Sequence, residues 1–293
     1  MSKTFFITGG SGYIGSVIIE YAVAQGYSVT ALPRSESSDF KLRALGANPV
    51  RGDLKSLEVL RAEASKADIV INVADAIASD FNISQDERWA TNYAANDALA
   101  AGVKGTDKPL IITSGAMIAQ PHPQDEETDE NSPGWPQGHL YARGFESRKQ
   151  TYLDQGIRVC YVRLAPVSSS SPGTALTTTV HVEDAARLYL VLAERAVAGE
   201  SYNATSETDV QQKQILETIY ETLGFPCEEL HVKEVNAKMG VFLAVFMTAT
   251  CRSSNKKARE QLGWSVQAEK GILEEIRSRS YVEVAKEMKT QAK

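Results

Sequence analysis

Three glycines spaced as Gly9-x-x-Gly12-x-x-Gly15 stand directly behind Thr8 and a short apolar run ending in Phe5-Phe6-Ile7, near the start of a chain of 293 residues. Glycines at this spacing do one piece of chemistry well, which is to bind a pyrophosphate. They let the backbone turn sharply, let phosphate oxygens come within hydrogen-bonding distance, and let the next helix pack on its strand. The phosphates then meet the free amides and positive dipole end of that helix. Val17, Ile18, Tyr21 and Ala22 follow at helical spacing, so strand, turn and helix are in register for a dinucleotide. A second run, Tyr27 to Leu32, ends in Pro33-Arg34-Ser35. An acid near such a strand end binds ribose hydroxyls, whereas an arginine pairs with a 2′-phosphate. Arg34 thus favours NADP(H); NAD(H) stays open because Asp39 is close by, and a solvated loop arginine is the plain alternative.

The elements that must hold this site can be read from the rest of the pattern. Lys41 to Leu45 reads as a short helix ended by Gly46, Pro49 to Arg51 as a third strand, and a helix starts after Ser56, a suitable N-cap. Asp68 to Val73 is a near-continuous apolar run, as in a parallel strand buried on both faces. A long helix from Asp86 to Ala101, a strand from Pro109 to Thr113, a helix from His139 to Gln155 and a strand from Ile157 to Arg163 continue the alternation. Alternating strands and helices predict an α/β fold, a Rossmann-type doubly wound parallel sheet with right-handed crossovers. Tyr202 to Ala204 reads as its last strand. Beyond it the pattern is mainly helical: Val210 to Leu223 with Gly224 as C-cap, a polar strand near residues 229–235, an apolar run from Met239 to Cys251, and a helix from Ser253 to Leu262. The expected division is a dinucleotide-binding domain over 1–165, completed by 181–205, and a smaller substrate-binding subdomain over 206–293. The Pro-rich acidic stretch from Gln120 to Gly138 cannot be regular structure, and serves either as a lid or as a solvated connection.

Composition narrows the classes. A net charge of −6 without a long basic run argues against nucleic acid or an anionic membrane as partner. Cys160, Cys227 and Cys251 are an odd, scattered set, and His122, His139, His181 and His231 lack ligand spacing, so neither a disulfide framework nor a metal site is expected. The longest uncharged apolar run falls well short of the ~20 residues that span a bilayer. The expectation is a soluble cytoplasmic protein with a small-molecule substrate; a homodimer is permitted without being required.

Thr8-Gly9-x-x-Gly12-x-x-Gly15 resembles the form found in the short-chain dehydrogenase/reductase superfamily, in particular its extended and atypical, epimerase/dehydratase-like branches. So do Gly52-Asp53-Leu54, Arg163-Leu-Ala-Pro166, His181-Val-x-Asp184 and Leu262-Gly263-Trp264. The resemblance implies a cofactor held by Thr8, Gly9, Gly12, Tyr13, Ile14, Gly15, Arg34, Asp53, Leu54, Val73, Ala74, Thr113 and Pro166. Asp53 would accept from the adenine amino group, or simply cap the next helix. Asn92 falls at a helical asparagine position of many relatives, or is solvent-exposed. His181 and Asp184 read as structural hydrogen-bonders. The segment from Pro166 to His181 is shorter than in extended relatives, so part of the usual substrate subdomain is missing.

The same resemblance implies a tyrosine four residues before a lysine, and a Ser/Thr after the fifth strand. The lysine charge, with that of the nicotinamide, depresses the tyrosine pKa, and the spacing puts both on one helix face. Tyr141 and Ser114 are the candidates, with Tyr141 opening a helix. However, Phe145 stands four residues after Tyr141, and no tyrosine in the chain has a lysine in that position. A slid register gives Phe145 and Lys149 with the tyrosine lost; aligning Glu146 instead leaves neither partner in place, and the best match puts Gly115, not Ser114, at the usual hydroxyl position. Arg143 or Arg148 could compensate for the lysine. The expectation is an NADP(H)-dependent oxidoreductase of a small organic carbonyl or related compound. A non-redox epimerase, dehydratase, isomerase or lyase is the alternative, or a non-catalytic dinucleotide-binding regulator.

Overall fold

A computed structural model describes residues 2–80, 83–139, 141–166, 176–224, 234, 250–278 and 282. Seven parallel strands form the central sheet: β1 Thr4–Thr8, β2 Ser28–Leu32, β3 Asn48–Pro49, β4 Ile69–Asn72, β5 Leu110–Gly115, β6 Val159–Leu164 and β8 Ser201–Ala204. Their order is β3-β2-β1-β4-β5-β6-β8, so the winding reverses between β1 and β4. Ligands of open α/β sheets bind at the carboxyl ends of the strands beside such a reversal.

Alternation along each strand builds two cores. Phe5, Ile7, Ile69, Ile71, Ile111 and Val162 face helices α1 (Tyr13–Ala24) and α6 (Val182–Arg195). Phe6, Val70, Leu110, Ile112 and Tyr161 face α3 (Leu57–Lys66), α4 (Gln85–Val103) and α5 (Lys149–Asp154). Each fully buried Ile, Leu or Phe stabilises the sheet by about 1.5–3 kcal/mol. That holds the strand ends still enough to carry a site.

Several element bounds differ from expectation. Helix α2 runs Glu36–Ala44, starting earlier because Ser35 Oγ accepts from the Ser38 amide at 3.2 Å and caps it. The third strand is the short pair Asn48–Pro49. The expected helix over 139–155 is broken: residue 139 and residues 141–144 are bends, turn and irregular chain, Phe145–Arg148 a single 3-10 turn, and among the described residues only Lys149–Asp154 is α-helical. Gly138 has φ 92°, outside the helical region, and Glu146 is drawn toward Arg163 on β6. Tyr141 therefore sits on a turn and opens no helix.

Past β8 the chain forms β9 (Val210–Gln211), antiparallel to β7 (Leu176–Thr177), then α7 (Gln212–Leu223), ended by Gly224 at φ 66°. Helix α8 (Lys256–Leu262) starts later than Ser253, and α9 spans Ile272–Ile276. Ala258, Leu262 and Trp264 join the core around α1 and α6, whereas Ile215 and Ile276 belong to a separate small cluster. Apart from residue 234, the polar strand expected near 229–235 lies outside the described residues, as do nearly all of Met239 to Cys251 and Cys227. Cys160 and Cys251 are buried free thiols. Among the described residues no helix is long and apolar enough to cross a membrane, and no three His, Cys, Asp or Glu side chains gather as metal ligands.

The Gln120–Gly138 stretch is tied down. Gln120 donates its amide to Pro133 O at 2.8 Å, Trp135 Nε1 donates to Met117 O at 2.8 Å, Thr128 exchanges backbone bonds with Arg252 and Ser254, and Glu130 Oε1 accepts the Asn203 amide at 2.7 Å.

Candidate active site

The glycine turn joins β1 to α1 at the reversal point. Gly9 has φ 71°, and a Cβ there would lie 2.9 Å from Ala74 N; one on Gly15 would lie 2.2 Å from Gly9 O. These are close backbone approaches that only glycine allows. Gly12 is the extended N-cap of α1, its amide donating to Gly9 O at 3.0 Å, and the first turn carries no acid to offset the helix dipole. Lys41 Nζ donates to Ser11 O at 2.8 Å, adding a cation to the loop. This cradle fits a pyrophosphate. Ile14 packs toward the core and Tyr13 stands exposed.

Asn72 fixes the floor of this turn. Its Oδ1 accepts from Thr8 Oγ1 and from the Ala74 amide (3.2 Å), its Nδ2 donates to Asn96 Oδ1, and its carbonyl accepts from Thr113 Oγ1 at 2.8 Å. Thr113 also shares a hydrogen bond with the Tyr189 hydroxyl at 2.6 Å. Thr8 and Thr113 are thus struts between strand ends, and Val73 leaves β4 packed against the core.

At the end of β2 the Arg34 guanidinium donates to Ser79 Oγ and Ala78 O, across the groove on the loop after β4. Ser35, Ser37 and Ser38 gather their hydroxyls beside it, 2.9–3.0 Å apart. Asp39 is held by Arg51. Asp53 Oδ1 accepts from the Lys55 amide and from Ser56 Oγ, both at 2.9 Å, so its carboxylate caps the turn into α3; Leu54 packs beneath. Of the two roles open to Asp53, capping is the one its hydrogen bonds display.

Beyond the turn, at the carboxyl ends of β5 and β6, lies a cavity of about 330 Å³. It brings Ser114, Gly115, Tyr141 and Pro166 together, walled by Trp89, Met117, Ile118, Phe145 and Leu164. The Tyr141 ring packs on Ala116, Met117 and Cys251, and lies 5.9 Å from Trp135 and 5.7 Å from His139. His139 stacks on Trp135 at 3.9 Å, and its Nδ1 accepts the Tyr141 amide at 3.2 Å. Among the described residues the buried Tyr141 hydroxyl has no hydrogen-bond partner. Burial raises its pKa far above an ordinary phenol, and the Arg88 charge offsets this only in part.

The expected compensating cations are engaged with other groups, Arg143 at the solvated rim of the cavity and Arg148 outside its lining. Arg143 pairs with Asp86 in solvent, and Arg148 pairs with Asp97 at 2.7 Å and lies over the Tyr93 ring. Lys149 Nζ sits 6.0 Å from the Tyr161 ring, outside the cavity lining, whereas Phe145 enters the cavity edge-on to Trp89 at 5.2 Å. Arg163 does not line the cavity and grips Glu146 with two bonds of 2.7 and 2.9 Å, Ser201 adding a third at 2.8 Å.

Three polar residues escaped the sequence reading. Asn72 left one signal, an amide ending the apolar run Ile69-Val-Ile. Asp75 and Arg88 left none, being thirteen positions apart on a loop and a helix. Asp75 Oδ1 accepts from Arg88 Nε (3.0 Å), Asn92 Nδ2 (2.9 Å) and the Ile77 amide (3.0 Å), and Oδ2 accepts from Arg88 Nη2. Asn92 is buried, and its Oδ1 accepts the Ala76 amide at 2.9 Å. His181 caps α6. Asp184, fully buried, accepts the Gln267 and Ala268 amides at 2.8 and 3.1 Å, which is a structural role for both.

Comparison with known proteins agrees with this fold. An uncharacterized protein of Saccharomyces cerevisiae is 29% identical, covering 93% of this chain and 97% of its own length. The 4-hydroxy-2-methyl-3-oxo-4-farnesyl-3,4-dihydroquinoline-1-oxide ketoreductase of Stigmatella aurantiaca is 29% identical over 76% of this chain and 74% of its own. In fold the chain is similar to UDP-glucose 4-epimerase of Thermotoga maritima (TM-score 0.75, 17% identity, 97% and 99% of the two chains). It is also similar to dTDP-glucose 4,6-dehydratase of Bacillus anthracis, solved with NAD (TM-score 0.71, 16% identity, 93% and 95%). Residues 5–175 match the NAD dependent epimerase/dehydratase family. With the glycine cradle, the strand order and this match in agreement, the chain belongs to the NAD dependent epimerase/dehydratase family.

Proposed function

We propose that this chain is an NADP(H)-dependent reductase of a compact apolar carbonyl compound. The observation that carries the reading is the meeting of two hydroxyls, Ser114 from β5 and Tyr141 from the turn before α5, with Pro166 in one largely apolar cavity at the strand ends. A reduced nicotinamide, when bound, supplies a hydride. The chain's part is to hold the carbonyl oxygen between Ser114 and Tyr141, to give it a proton from the Tyr141 hydroxyl, and to keep water out with Trp89, Phe145 and Leu164. Preference for the phosphorylated cofactor rests on Arg34 and the serine hydroxyls beside it, with Asp39 bound to Arg51. Thr8, Gly9, Gly12, Tyr13, Ile14 and Gly15 would hold the pyrophosphate end, Asp53 and Leu54 the adenine, and Val73, Ala74, Thr113 and Pro166 the nicotinamide half. The ketoreductase relative supports an apolar ketone as substrate.

The test is NADPH consumption with a panel of apolar ketones, aldehydes and quinones, for the native chain and for Tyr141→Phe and Ser114→Ala. Turnover that falls at least a hundredfold in Tyr141→Phe supports the reading, general acid catalysis being worth about a hundred- to ten-thousand-fold. Full rate in that variant overturns the assignment of Tyr141. Product formed with no net change in NADPH would move the chain to the epimerase or lyase class, a reading motivated by the lack of a lysine in the cavity lining among the described residues.

A further inference from the structure

A tyrosine that gives up a proton leaves a phenolate, and a phenolate in an apolar cavity needs a positive charge nearby. Among the described residues, the cavity lining contains no lysine and two arginines. Arg143 is largely solvated and bound to Asp86. Arg88 is different: it is only 7% exposed, it lines the cavity, and its guanidinium lies 4.8 Å from the centre of the Trp89 ring. Two of its nitrogens are fastened to Asp75, which is itself held by Asn92 and the Ile77 amide. Asp75 does not line the cavity. The pair is therefore a fixed dipole with its positive end toward the cavity, and three donor groups spread the charge of the acid behind it.

Resting on the reductase reading above, we propose that Arg88 is the cation of this site, a positioning residue on α4 that stabilises negative charge on the Tyr141 oxygen in place of a lysine on α5. A bound reduced dinucleotide would supply the hydride for the new C–H bond at the carbonyl carbon and would itself be oxidised; the bond from the Tyr141 oxygen to its proton breaks and the proton goes to the substrate oxygen, which becomes a hydroxyl. The electron pair stays on Tyr141 as phenolate facing Arg88, and solvent returns the proton. Other groups around the ring oppose this or are remote. Cys251 is a buried thiol, pushed up to about 11, and so stays neutral. His139 spends its Nδ1 on the Tyr141 amide, and the turn Ala116–Ile118 brings no charge. A fixed arginine has one consequence a lysine does not: it stays charged at every pH the enzyme meets.

The experiment places a fluorinated tyrosine, whose phenol is more acidic, at position 141 and follows its titration by fluorine NMR in the protein without substrate or dinucleotide. Removing the cation in Arg88→Gln should raise the phenol pKa by about one unit or more, the scale of a nearby opposite charge. Removing the acid in Asp75→Asn should lower it. Opposite signs from two partners of one ion pair cannot come from loosened packing, which would move both the same way. The double variant Asp75→Asn, Arg88→Gln leaves no buried charge unpaired, guards against misfolding of the singles, and should fall between them. Equal values in all variants, or shifts of one sign, overturn the proposal. Because no substrate is present, such a failure leaves the reductase reading standing, and an absence of carbonyl turnover would leave the measured coupling intact.

Discussion

Arg51 binds the carboxylate of Asp39, and this acid close to the end of β2 is thereby built into the corner between α2 and β3. Arg34 and the hydroxyls of Ser35, Ser37 and Ser38 are then the groups at that strand end able to meet a ribose phosphate. A hydrogen bond to a charged group contributes about 1.5–3 kcal/mol. Arg34→Ala should therefore weaken NADPH by roughly ten- to a hundredfold while leaving NADH nearly unchanged. Asp39→Asn should leave both affinities within a few-fold of native. Titration calorimetry with the two reduced cofactors decides it; an equal loss for NADPH and NADH in Arg34→Ala would refute the phosphate role.

Burial sets the sign of the pH dependence at Tyr141. The raised phenol pKa keeps the proton in place through neutral and mildly alkaline solution, against about 10 for a free tyrosine. Carbonyl reduction needs that proton, so its rate should show no alkaline fall owed to Tyr141 below about pH 10. Alcohol oxidation needs the phenolate and should climb with pH over the same range. Rate profiles in the two directions test this, and a reductive rate that drops near neutrality in the native chain but not in Tyr141→Phe would contradict it.

The buried pair Glu146–Arg163 fixes the segment that carries Tyr141. Both side chains are under 10% exposed, and three hydrogen bonds converge on the carboxylate. Removing one partner of such a pair costs about 3–5 kcal/mol, because the other is left buried and alone. Glu146→Ala should lower the melting midpoint by roughly 5–15 °C. Burial alone would raise the Glu146 pKa, but the Arg163 bonds and charge outweigh it and hold the carboxyl below its ordinary range. A depressed folded pKa means the stabilisation is fully present above the unfolded value of about 4.3 and disappears as pH falls through the lower, folded one. Midpoints measured from pH 7 to pH 3 should show a steeper acid decline in the native chain than in Glu146→Gln; parallel curves would count against the pair.

Local patterns in the chain carried much of this fold. The glycine turn, the doubly buried run Ile69 to Asn72 and the alternation of apolar residues in β1 specify the sheet, because each depends only on neighbours in sequence. The errors arose where distant residues decide. The helix expected from His139 is interrupted because Glu146 reaches Arg163, seventeen positions away, and Trp135 stacks on His139. The ion pair of Asp75 and Arg88 is silent in sequence for the same reason: its partners meet only once α4 has packed on the sheet. Asp53, with its local partners Lys55 and Ser56, could be read in two ways from sequence, and the capping it shows was one of them.

Asn72 joins the sheet to the glycine turn, and its loss should separate cofactor binding from stability. Its side chain accepts from Thr8 and the Ala74 amide on the cofactor side and donates to Asn96 on the helix side. Asn72→Ala strands groups on both sides, each at a cost of about 1–3 kcal/mol, although these costs do not add in full. Asn96→Ala strands only the Asn72 amide nitrogen. Both variants should melt earlier than the native chain, but only Asn72→Ala frees Ala74 to shift against Gly9, whose backbone comes too close for any side chain. NADPH affinity, measured well below each melting midpoint, should therefore fall at least tenfold in Asn72→Ala and stay near native in Asn96→Ala. If the two variants lose affinity equally, the strand ends move as one unit, and Asn72 serves the sheet rather than the pyrophosphate turn.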